Sequence, residues 1–113
     1  STLTSASTSD TSISSGAFAT GAGNVHTISN TTAGYGMSAA AGTGTPTIAT
    51  EYAGNGTSTF GSLDSTKFEQ IASQTVPANA NTATLTFGAE ATPTTKAATD
   101  YTDTVTITAA GQF

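Results

Sequence analysis

Residues 99–113 read TDYTDTVTITAAGQF, the longest stretch of the chain in which one physical pattern runs almost unbroken. Odd positions carry Tyr101, Asp103, Val105, Ile107, Ala109 and Phe113, and even positions carry Thr102, Thr104, Thr106, Thr108 and Gln112. A period of two is that of a half-buried β-strand, whose side chains point alternately to the two faces of a sheet. The pattern predicts a core strand, with Tyr101, Val105, Ile107 and Phe113 packed on one face.

Working outward, residues 82–87, TATLTF, repeat the alternation and place Ala83, Leu85 and Phe87 together. Residues 25–32 and 35–40 read as two strands joined by a turn at Ala33-Gly34, and residues 47–52 as a short third. Residues 67–76, KFEQIASQTV, mix signals. Phe68, Ile71 and Ala72 have helical spacing, while Thr75, Val76 and Pro77 favour an extended end, and we read the segment as a strand. Gly, Pro and Asn punctuate the intervals at 42–46, 53–56 and 77–81. About seven short strands and no convincing helix predict an all-β fold, an antiparallel immunoglobulin-like β-sandwich occupying residues 16–113.

Residues 1–15 are almost entirely Ser, Thr and Ala, with Leu3 and Ile13 as the apolar anchors. So little apolar surface does not order a segment by itself. Two readings stay open for it: a flexible tail, or a donated strand that orders only in a neighbour's groove, with Leu3 and Ile13 as its anchors and Leu85, Phe87, Tyr101, Val105, Ile107 and Phe113 lining the acceptor core.

Composition narrows the function classes. The net charge is −5 and the basic residues are Lys67 and Lys96, so no patch exists to neutralise phosphates, and nucleic acid is excluded as a partner. No stretch approaches the roughly 20 apolar residues of a membrane span. Charged residues are 8% of the chain, far below the roughly one quarter of an average soluble domain. Hydroxyl side chains wet the surface instead, which points to an extracellular or cell-surface protein. Large apolar side chains are few and scattered, and neighbouring subunits are expected to contribute burial that one chain cannot make alone.

No pattern signals an active site. The carboxylates Asp10, Glu51, Asp64, Glu69, Glu90, Asp100 and Asp103 are dispersed, and His26 is the one imidazole, without a Gly-x-Ser-x-Gly elbow beside a serine. Asp100 and Asp103 could join Asp64 or Glu90 around calcium, but solvated rim carboxylates explain the same residues. We therefore expect no enzyme, no metal and no cofactor. Asn30-Thr31-Thr32 and Asn55-Gly56-Thr57 fit the N-glycosylation pattern, making Asn30 and Asn55 candidate acceptors of covalent glycans. Trp is absent, so sugar binding by stacking is not prompted.

The run YTDTVTIT at residues 101–108 resembles the closing strand of secreted bacterial surface sandwiches, notably spore-coat-protein-U-like pilins. Val76-Pro77-Ala78-Asn79, the strand at 82–87 and the turn SNTTAGY at 29–35 resemble, in the same order, Thr-rich surface proteins of small-genome bacteria. The resemblance implies a structural subunit of an extracellular filament or surface layer, a homopolymer held by β-strand complementation. In that family a terminal strand of one subunit enters the sheet of the next. The chain differs in having no cysteine for the disulfide those pilins carry. The alternative is a non-enzymatic adhesin or carbohydrate-binding module of a secreted surface protein.

Overall fold

The computed structural model describes residues 1–15, 19–20, 26–27, 31–66, 68–77 and 79–111. Phe113, Asn30, Val25 and Lys67 lie outside them. The chain is all-β, in mixed and antiparallel sheets. Its strands are β1 (Thr2–Ser5), β2 (Asp10–Ser15), β3 (Ala19–Thr20), β4 (His26–Thr27), β5 (Gly34–Ala41), β6 (Thr47–Ile48), β7 (Thr59–Phe60), β8 (Ala72–Ser73), β9 (Ala83–Glu90) and β10 (Tyr101–Thr102). The principal sheet runs β10-β1-β2-β5-β9; β3-β4-β7 and β6-β8 form smaller ones.

The backbone of the fold is the β5–β9 pair, antiparallel and in continuous register from Gly34 opposite Glu90 to Ala41 opposite Ala83. The sequence GYGMSAAA suits β5 to burial on both sides, because small residues let neighbours approach closely. Every residue from Gly34 to Ala39 is buried. Gly36 and Gly88 stand opposite each other, and a Cβ at Gly88 would overlap the Phe60 ring, while one at Gly36 would overlap the Gly61 carbonyl. The Phe60 ring thus fills the space that the absent side chain of Gly88 leaves, and the Gly61 backbone that at Gly36. Two clusters form the core: Ile13, Tyr35 and Phe60, with Leu3, Leu63 and Tyr101 against them, and Met37, Ala39 and Tyr52, with Ile48, Ile71 and Leu85 against them.

Within the single chain the first fifteen residues are ordered in the principal sheet. They form a β1–β2 hairpin in which Leu3 faces Ile13, and β2 runs parallel to the start of β5 through Ser14–Gly34 and Ser15–Tyr35. Ile13 is buried and Leu3 half-buried. The low apolar content is offset by hydroxyl chemistry. In the turn, the Ser5 hydroxyl oxygen accepts from the Thr8 N–H at 3.2 Å and the Thr8 hydroxyl at 3.0 Å, and the Ser5 O–H donates to Asp100 Oδ1 at 2.6 Å.

The closing alternation also differs from expectation. Of residues 99–113, Tyr101 and Thr102 pair, with Ser5 and Thr4 of β1, and residues 103–111 are irregular and exposed. The reason lies in β1 and Asp103. The register of β1 with β2 shifts between Leu3 and Ser5, and Asp103 engages through its side chain, the carboxylate accepting from the Tyr35 and Ser1 hydroxyls, while the ladder with β1 ends at Thr102. Elsewhere the 47–52 strand is cut to Thr47–Ile48 and followed by a 3-10 turn at Thr50–Tyr52, and the 67–76 strand to Ala72–Ser73. Among the described residues no helix is long and apolar enough to cross a membrane.

Candidate assembly surface

Beside the principal sheet lies an open groove of about 510 Å³, lined mostly by apolar side chains: Leu3 of β1, Tyr35 of β5, Phe87 of β9, Tyr101 of β10 and the following Val105, with Asp103 at its polar end. Each is positioned by the ladder. Leu3 is set by its cross-strand partner Ile13 and Phe87 by Met37. Tyr101 is held by its hydroxyl, which lies 2.6 Å from Asp10 Oδ2 and 2.8 Å from the Lys96 carbonyl. It donates to one at a time, and the carboxylate is the stronger acceptor. That hydrogen bond to Asp10, with burial second, raises the Tyr101 pKa above its ordinary value.

The carboxylates around the groove are engaged in holding the chain together. Asp100 accepts from the Ser5 hydroxyl, the Ser7 N–H at 2.9 Å and the Ser7 hydroxyl at 2.9 Å, and these bonds, Ser5 first, lower its pKa from 3.8 to about 2. Asp10 also accepts from the Lys96 N–H at 2.9 Å. Across the molecule, burial first and then the hydrogen bond to Glu69 push the Tyr52 hydroxyl well above the ordinary tyrosine range. Among the described residues no three His, Cys, Asp or Glu side chains gather to hold a metal ion.

Of the residues expected to form an acceptor core, the structure brings Phe87, Tyr101 and Val105 to this groove, together with Leu3, which was expected to be donated. Leu85 instead packs on Met37 and Tyr52. Phe87, Val105 and Ile107 are 52%, 37% and 55% exposed, so in the single chain they cover little. A β-strand alternation marks which residues share a face, and it is silent on whether a second layer lies over that face. Asn55 is exposed, and its side-chain oxygen accepts from the N–H groups of Thr57, Ser58 and Thr59 at 2.9, 2.7 and 3.0 Å, closing the turn. Tyr35 and Phe60 were missed as core residues. The signal for Phe60 was the Gly36–Gly88 register, which a single sequence does not display. Compared with protein-family models, curated proteins and solved structures, the chain matches none.

Proposed function

We propose that this chain is a structural, non-catalytic subunit of an extracellular, pilus-like filament or surface layer, self-associating through strand complementation. The observation that carries the reading is unfinished burial. A compact monomer of 11.0 kDa exposes about 5,600 Å², whereas this chain exposes 6909 Å². The surplus of about 1,300 Å² exceeds the roughly 800 Å² each partner buries in a standard interface. Among the large apolar side chains left exposed are Phe68 and Val76 elsewhere on the surface, Phe87 and Val105 in the groove, and Ile107 two residues beyond Val105 in the chain.

The finer fold, a pilin-like immunoglobulin sandwich, draws support from the packing of Ile48 in β6 and Ile71 beside β8 against the cluster that Met37 and Ala39 of the principal sheet form with Tyr52. A hydroxyl-rich surface with few charges fits the outside of a cell, and the resemblance to spore-coat-protein-U-like pilins agrees with it. Exposed Asn55 offers a loop site for a covalent glycan, as Asn30 does by sequence.

Negative-stain electron microscopy of the purified protein tests this reading. Uniform filaments or sheets are expected at high protein concentration. A persistent monomer that instead binds glycans would replace it with an adhesin or carbohydrate-binding module.

A further inference from the structure

We propose that the complementing strand is residues 103–111 of one copy, and that it adds to the open edge of β9 in a second copy. The inference rests on the assembly reading above and names both halves of its contact.

The acceptor is the unguarded edge. β9 is last in the order of the principal sheet and pairs with β5, and no other described residue pairs with any of its eight residues. Long edges of this kind are usually blunted by lysine, proline or a bulge. β9 has none of these: its sequence is ATLTFGAE and its register with β5 is continuous. Phe87 stands on it half exposed.

The donor is the closing alternation. Residues 105–111 make no hydrogen bond with any other described residue, yet they carry the period-two pattern and the β-branched side chains of a strand. Val105 lines the groove that Phe87 also lines, and still no bond joins its segment to β9. An added strand satisfies both sets of backbone groups. It also places Val105 and Ile107 beside Leu85 and Phe87, aromatic and β-branched neighbours of the kind that stabilise cross-strand pairs. One contact then covers three of the large apolar side chains the chain leaves exposed.

Charge permits the same contact. Copies with a net charge of −5 repel each other. Each segment carries one acidic side chain, Glu90 or Asp103, at its end, and residues 83–89 and 104–111 contain none, so these lengths can meet without like charges opposed. The first fifteen residues, by contrast, already occupy a place in their own sheet.

Three proteins test the contact by sedimentation velocity and amide hydrogen exchange: the parent, Phe87→Glu, and the double variant Val105→Glu/Ile107→Glu. Both sets of changes fall on exposed side chains, and circular dichroism checks that the monomers stay folded. The parent should grow beyond a dimer with concentration and gain protection, as it does so, at the β9 amides that point away from β5. Each variant should stay monomeric, the first lacking an acceptor and the second a donor. Their equimolar mixture should give a heterodimer and nothing larger, because one working edge meets one working strand. A synthetic peptide of residues 103–111 should protect β9 in the double variant.

Three results would overturn the proposal. Protection, in the dilute parent monomer, of the β9 amides that point away from β5 would mean that the segment pairs within its own chain. Assembly unchanged in both variants would place the contact elsewhere and leave the assembly reading standing. A parent that never associates would remove both.

Discussion

Asp100 shows how a chain poor in large apolar side chains fixes its architecture with hydroxyls. Its carboxylate ties the β1–β2 turn, through Ser5 and Ser7, to the approach to β10 some ninety residues later. The folded group holds its proton only below about pH 2, while the unfolded one titrates near the ordinary 3.8. The stabilisation is therefore complete above the unfolded value and is lost as pH falls from there through the folded one. Melting temperature measured against pH should drop across that window in the parent, and Asp100→Asn should flatten this part of the acid limb while lowering stability at neutral pH. An acid limb identical in both proteins would show that the bonds to Asp100 do not contribute. Gly88 is a second decisive position. Its missing side chain is where the Phe60 ring lies, so Gly88→Ala should cost about 1–3 kcal/mol through overpacking, read by urea denaturation.

At the scale of elements, the β1–β2 hairpin behaves as core although its composition resembles a linker. Ile13 is buried against Tyr35 and Phe60, and Ile13→Ala should cost about 2–5 kcal/mol. Leu3→Ala should cost less, since Leu3 is only half-buried. An unfolding free energy indifferent to Ile13 would return the segment to the status of a tail. Strand propensity was legible in the sequence at β5 and β9, where small or alternating residues coincide with a real partner. It misled at residues 103–111, because alternation reports a preference for extended backbone and the pairing depends on which edge is free. The hairpin was illegible for the converse reason. Its order comes from Ser5 and Asp100 meeting across the chain, and no local pattern announces such a contact. The groove was legible in part: Phe87, Tyr101 and Val105 were selected by pattern, but Tyr35 joins them only through the sheet order.

At the scale of the whole molecule, shape and surface lead to the same expectation. The radius of gyration is 15.3 Å, against about 13 Å for a compact domain of this length, and the extents of 48 × 28 × 22 Å describe an elongated body. Six apolar residues are buried among those described, a small core for a chain that must offset the ordering entropy of 113 residues. If copies supply the missing burial, stability is linked to concentration, because association favours the folded state alone. Above the dissociation constant, each tenfold rise in concentration then adds about 1.4 kcal/mol per contact. Calorimetry over a hundredfold dilution series should show the parent melting at progressively lower temperature as it is diluted, while the Val105→Glu/Ile107→Glu variant should melt at one temperature throughout, near that of the most dilute parent. A parent whose melting temperature ignores dilution would mean that the exposed surface is tolerated by the isolated chain and that Phe87, Val105 and Ile107 contribute nothing to stability through a neighbour.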